Sequence, residues 1–422
     1  MLLLLATTAV GAELVELTLD EALDRLRTDG PDLIQAEARA EQAKALAQMT
    51  RAFVLPTATV SGGYVRNDQG VVLDFGSFGG LPPGAPSGDL PRDVVIQPLD
   101  SWTATASARV PLIAPGGWAE STSATRAARS AEATAEAIGL DLEEALVSAA
   151  ATAEAAAAIV LAAEHATETA DAHVKSIENA VAAGTATNLD LLSARATAAA
   201  RRSNAKAATA ERDELREQLG SLLGVDAPVA ITLPDPPEPE PSRPLPELAA
   251  AEAGLAAARA QVDAAAWQFA PVVAAYGQAQ ATTQEYITGK SYRWLVGVEA
   301  TLPLFEGGAR GGRLAKARAE RTEADAVAQS TRDDVERAER QAEREVELAL
   351  AQLDLAQEQA TLANEAADSA GQGLDVGTTS PLQARDAETD AFFADVAVAS
   401  ARARLLVAMA ALRRSKGQDQ RW

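Results

Sequence analysis

His165 and His173 are the only two histidines in the 422-residue chain, and they stand beside Glu164 and Glu168 on what reads as one long helix. That grouping invites a metal site, but eight residues is just over two turns, about 12 Å along a helix axis. The spacing is too long for one ion without a ligand from another element, and it misses the i, i+4 pattern of helical metal sites. The pairs Gly116–Gly117 and Gly307–Gly308 precede helical stretches, as phosphate-binding glycines do. Neither is followed by the Lys-Ser/Thr signature, so they read as strand-to-helix joints. There is no cysteine, hence no disulfide or thiolate chemistry. No nucleophile motif, P-loop or dinucleotide fingerprint occurs. The residues imply no catalytic, metal or cofactor site, and so not an enzyme.

The elements that carry these residues are unusual. Aromatic residues are 4% of the chain, and the 47% of hydrophobic residues are largely alanine, which favours helix yet fills little core volume. Long, thin, closely packed helices follow. Sixty acidic against 37 basic residues give a formal charge of −23, which repels nucleic acid. The opening MLLLLATTAVGA, residues 1–12, has the apolar run and small-residue end of an export signal. No later run reaches the ~18 to 20 consecutive apolar residues of a membrane helix. The nearest, Ala145 to Ala163, is mostly alanine and carries Glu154. A membrane crossing by this chain would have to be a β-barrel, since only helices and closed barrels satisfy every backbone group in lipid.

The chain is an internal repeat. PDLIQAEARAEQAKALAQMTRAFVLP from Pro31 aligns with PELAAAEAGLAAARAQVDAAAWQFAP from Pro246, SWTATASARVPLIAPGG with YRWLVGVEATLPLFEGG, and AGTATNLDLLSARAT with VGTTSPLQARDAET. Pro56 and Pro271 are 215 positions apart, whereas Trp102 and Trp294 are 192 apart and Gly184 and Gly377 are 193 apart. The difference of 23 places an extra segment in the first half, between Pro56 and Pro111, where GGLPPGAPSGDLPRD supplies a Gly/Pro-rich loop. Repeat 1 spans 13–224 with a strand hairpin within 56–111. A proline-dense connector covers 225–245, repeat 2 spans 246–414 with a hairpin within 271–303, and 415–422 is a tail.

From Trp102 to Val110 apolar residues alternate with Thr103, Thr105, Ser107 and Arg109; from Trp294 to Leu302 they alternate with positions that include Glu299 and Thr301. Nine residues is close to the length of a tilted outer-membrane strand. Thr57 to Tyr64 and Val272 to Gln280 are weaker strands. Two hairpins are too few to close a barrel, so other chains must complete it. Beyond Gly117 and Gly308 about 65 residues run without proline, roughly 100 Å of helix each. Shorter helices are expected near 18–54, 187–223, 246–270 and 382–413. Trp102 and Trp294, at the same end of the two strands, suit an aromatic girdle.

These features resemble the TolC-type outer-membrane efflux proteins. The resemblance rests on the paired turns Pro111 to Gly117 and Pro303 to Gly308, and on the motifs around Gly184, Thr185, Gly377 and Thr378. It implies a mainly α protein with a β-barrel portion: a homotrimer whose protomers each give four strands to one twelve-stranded barrel in outer-membrane lipid. A periplasmic helical tunnel follows, with pairs of shorter helices, about 37 residues each, stacked beside each long one. Partners implied are a periplasmic adaptor and an inner-membrane transporter of RND, ABC or MFS type, in tripartite efflux or type I secretion. The same resemblance places Asp386 on an acidic ring at the periplasmic entrance, with Gln383 at the other ring position. Asp190 falls on the acid that latches the entrance, although its usual Arg and Tyr partners fall at Thr379 and Leu374. The rival reading is a periplasmic coiled-coil adaptor or scaffold without a pore, which leaves the two matched hairpins unexplained.

Overall fold

A computed structural model describes residues 14–74, 93–235, 241–283, 290–376 and 378–422. The expected export signal, nearly all of the Gly/Pro-rich loop 79–93, and Gly377 lie outside the described residues. Repeat 1 folds as β1 (Val15–Thr18), α1 (Leu19–Asp29), α2 (Pro31–Ala52), β2 (Thr57–Arg66), β3 (Val71–Asp74), β4 (Asp93–Gln97), β5 (Asp100–Ile113), α3 (Pro115–Ala182) and α4 (Asn188–Leu222). After β6 (Val229–Thr232), repeat 2 gives α5 (Pro246–Trp267), β7 (Val272–Thr282), β8 (Tyr292–Thr301), α6 (Ala309–Asp375) and α7 (Pro381–Ser415). The long helices have 68 and 67 residues. Each half then ends in a helix of 35 residues.

Two expectations change. The helix expected over 18–54 is two helices, because Thr18 and Glu21 form a capping box that starts α1 and Pro31 starts a new helix after Gly30. Within 18–54, α2 has only 22 residues, while α5, also of 22, nearly fills the expected 246–270. The connector is not all linker: in β6, Val229 and Ile231 are buried and pair in parallel with β1. Its four-residue alternation is too short to stand out beside so many prolines.

The chain forms two compact units. The first comprises residues up to Gln42, Arg129–Glu252 and Ala326–Trp422. Its thickest core gathers Leu19, Leu23 and Leu26 of α1, Leu146 and Val147 of α3, Leu219 of α4 and Leu223 at its C-cap, and Leu406 of α7 around β6. Elsewhere in this unit the buried residues are mostly alanines, such as Ala36, Ala40 and Ala135, which allow helices to approach closely. By length and composition α3 passes as a membrane-crossing helix. Its apolar middle instead serves this core, and Glu154 pairs with Arg402 at 3.6 Å. The C-terminal tail is packed as well: Gln418 and Gln420 are fully buried, and Gln420 donates to the Ala410 carbonyl.

The second unit comprises Ala43–Ala128 and Ala253–Asp325. It holds a four-stranded antiparallel sheet of order β2-β5-β7-β8 and a two-stranded extension, β3-β4, inside the extra segment of the first half. The two repeats join edge to edge, Thr105 opposite Gln280 and Arg109 opposite Tyr276. Beneath the sheet, Ser123 and Arg126 of α3 hydrogen-bond the Ala257 and Ala256 carbonyls of α5 at 2.9 and 3.0 Å, an approach permitted by the alanine surface.

Candidate functional site

In an antiparallel sheet, residues directly opposite each other share a face. One face of this sheet therefore carries Tyr64 and Trp102; Val60, Ala106, Ala279 and Trp294; and Ala108, Gly277 and Val296. It is open in the protomer: Val60 is 83% exposed, Trp294 69%, Val296 73% and Val298 67%. A contiguous exposed apolar surface of this kind marks contact with lipid or a partner. Tyr64 and Trp102 stack with ring centres 5.4 Å apart. Trp102 and Trp294 share this face and the same strand end but not one hydrogen-bonded row, since Trp294 pairs with Ala279 and Ala279 with Ala106.

The opposite face carries hydroxyls, amides and paired charge. Thr103, Thr105, Ser107 and Arg109 lie there with Gln278, Gln280 and Glu299. The Thr59 and Ser107 hydroxyls meet at 2.6 Å, and Arg109 reaches across β7 to Glu299 at 2.5 Å. The strands β2 and β8 are outermost, and among the described residues neither has a second neighbour within the protomer.

The strand-to-helix joints differ between halves. Pro111 lies within β5 at a register shift, and Gly116 and Gly117 fall inside the first turn of α3 rather than ahead of it. A Cβ on Gly117 would stand 2.7 Å from the Val54 side chain, so packing rather than flexibility calls for glycine there. In the second half Pro303 follows the strand, and Gly307 and Gly308 adopt φ of 59° and 87°, a left-handed path open to glycine. Arg310 and Arg313 fasten this turn on Glu306 at 3.3 and 2.9 Å.

The helix-to-helix turns repeat almost atom for atom. Thr185 N–H donates to the Ala180 carbonyl and Thr378 N–H to the Gly373 carbonyl, both at 2.8 Å. Both threonine hydroxyls donate to the same carbonyls. Gly184 turns the chain at φ 77°. Thr187 then caps α4 and Ser380 caps α7. In each capping box the third helical residue closes the motif: Asp190 accepts from Thr187 N–H at 2.9 Å, and the Gln383 carboxamide oxygen accepts from Ser380 N–H at 3.1 Å. These hydrogen bonds hold the Asp190 carboxyl below the usual carboxylate range. Sequence reasoning missed this role, although T-x-x-D and S-x-x-Q are legible capping signatures.

Asp386 and Gln383 line the same open groove on α6 and α7, with Glu358 and Asp390. Asp386 is exposed and paired with Arg385 at 3.1 Å. Asp190 lines a different pocket, beside Ser380 and Arg385. Thr379 donates its backbone N–H to the Gly373 carbonyl, and the Leu374 side chain lies outside the described residues. Along α6, Leu348, Leu355 and Leu362 stand at successive heptad positions, each more than half exposed. Such a stripe is the seam that a coiled coil buries.

The sequence pattern of the outer membrane efflux protein family matches residues 22–225 and 245–418. The chain belongs to this family. Its fold is that of the family's solved channels. The outer membrane protein VceC of Vibrio cholerae superposes with a TM-score of 0.77 at 20% identity, covering 96% of this chain and 97% of that one. The CmeC outer membrane channel of Campylobacter jejuni gives 0.78 at 17% identity, covering 96% and 87%. The open-state MtrE outer membrane channel of Neisseria gonorrhoeae gives 0.71 at 20%, covering 95% and 89%. Sequence comparison with curated proteins gives no match. This outer membrane efflux protein is thus a channel-type protein of the outer membrane and not an enzyme, mainly helical, with four strands as its share of a barrel completed by other protomers.

Proposed function

We propose that this efflux protein works as a homotrimer whose twelve strands close one barrel, conducting cargo passively from an inner-membrane transporter through a periplasmic adaptor. The observation that carries the reading is the two-faced sheet. Its apolar face is exposed, its other face bears hydroxyls, amides and an ion pair, and a barrel wall between lipid and water needs that division. Four strands fall short of the roughly eight that close a small barrel, and three copies supply twelve. The exposed heptad stripe of α6 favours the same assembly, since symmetric copies can bury it in one another. Asp386, Asp190 and Gln383 near the helix turns are the residues we assign to the entrance, and Trp102 and Trp294 to the lipid boundary. Cargo class is assigned to the pump in this reading. The test is extraction of the full chain from membranes, its mass in detergent and its conductance in planar bilayers. A detergent-dependent trimer with discrete conductance steps is expected. A monomer that stays in solution without detergent would overturn the reading.

A further inference from the structure

Both histidines of the chain line one cavity of about 440 Å³ in the first unit, bounded by α3, α4, α6 and α7. The cavity exists because its walls are built on small residues, Ala162, Ala166 and Ala170 of α3, Ala194 of α4 and Ala367 of α6, whose methyl groups leave the space between helices unfilled. Into it face His165 and His173 from α3, Arg201 from α4, Asp368 from α6, and Arg385, Glu388 and Asp395 from α7.

Three of these groups are engaged. Arg201 donates to the Thr389 hydroxyl at 2.7 Å and lies 5.2 Å over the Phe392 ring. Arg385 holds Asp386, and Asn364 donates to Asp395 at 3.0 Å. Glu388, like Asp368, has no hydrogen bond or ion pair among the described residues, and the charges that act on its carboxylate are those of His173, Arg201 and His165. With neutral imidazoles the cavity holds two arginines against three carboxylates, a formal −1; with both imidazoles protonated it holds +1.

We propose that Glu388 and the two histidines form an acid-responsive clamp between α7 and α3, in which protonated imidazoles on α3 draw the Glu388 carboxylate and close the cavity. Imidazole is the side chain that changes charge in mildly acidic water. Burial pushes the Glu388 carboxyl above its usual range, against the opposing pull of His173, Arg201 and His165. The signs agree. A carboxyl whose packed-state affinity for protons is raised favours packing as the pH falls, and imidazolium attraction acts in the same direction while the carboxylate is still ionised. Glu388 lies two turns into α7 from its Ser380 cap, next to the turn assigned above to the entrance, so the clamp would bias the channel toward its closed form in acid. That consequence rests on the proposed channel function.

The test compares wild type, H165Q/H173Q and E388Q as full-length protein at pH 7.5 and 5.5, by single-channel open probability and by hydrogen exchange over the start of α7. A one-unit difference in proton affinity between closed and open forms is about tenfold in their ratio. Wild type is expected to close about tenfold in acid and to gain protection at the start of α7 relative to the intrinsic exchange rate at each pH, and both variants are expected to lose most of that response. Equal acid responses in all three proteins, or none in wild type, would overturn the clamp. If no variant conducts at either pH, the channel reading fails, whereas the exchange comparison still decides the clamp.

Discussion

Glu143 of α3 is a buried charge in the first unit, and removing it tests how the C-terminal tail is held. Its side chain is 6% exposed. It accepts from Arg27 Nη2 and Nε at 2.6 and 2.9 Å and from the Gln420 backbone N–H at 3.2 Å. Glu143→Ala removes a charge-assisted hydrogen bond of about 1.5 to 3 kcal/mol, which must be roughly halved because Arg27 is 39% exposed and can turn to water. It also orphans the buried Gln420 N–H, at about 1 to 3 kcal/mol. The total is about 3 kcal/mol, or roughly a hundredfold in local opening. Glu143→Gln keeps an acceptor for Gln420 and should cost about 1 kcal/mol. Hydrogen exchange over α1 and residues 416–422 reads this directly. Exchange of the alanine variant within threefold of wild type would refute the view that this carboxylate ties α1 and the tail to α3.

Val296→Arg on the exposed sheet face should cost roughly 2 to 4 kcal/mol if that face meets lipid at mid-depth, and the yield of detergent-stable trimer measures it; an unaltered yield argues for a water-facing surface. Asp386→Asn should lower cation preference in bilayers at low salt, where three symmetric carboxylates concentrate cations, and unchanged reversal potentials would remove Asp386 from the entrance. The lowered proton affinity of the Asp190 carboxyl means that its cap contributes above the ordinary carboxyl range and is lost as the pH falls through it. Protection of the first-turn amides of α4, taken relative to the intrinsic exchange rate at each pH, should therefore be lower near pH 3 than near pH 6, and a Thr187→Ala variant should erase that difference.

The sheet and the long helices were legible because their signals are periodic and doubled. Alternation from Trp102 to Val110 fixed which face is apolar, and the 193-residue offset between Gly184 and Gly377 paired the two motifs in sequence. The short parallel pair β1-β6 and the separate α1 were not legible, since four-residue strands carry too few positions to show a period. The alanine-rich helices pose a different obstacle. When nearly every position is small, sequence does not say which face meets which helix, so the meeting of Glu388 with His165 and His173 emerged only from the folded chain. Gly117 likewise reads as a joint until Val54 is seen against it.

The paired caps at Asp190 and Gln383 carry a lesson for redesign. A carboxylate and a carboxamide close the same hydrogen-bonded box, one with charge and one without. Fixed charge at this depth is therefore nearly independent of whether the helices start correctly. In the proposed trimer, swapping acid for amide at these two positions gives a choice of zero, three or six negative charges on one scaffold, a dial for ion preference that keeps both hydrogen-bonded boxes closed.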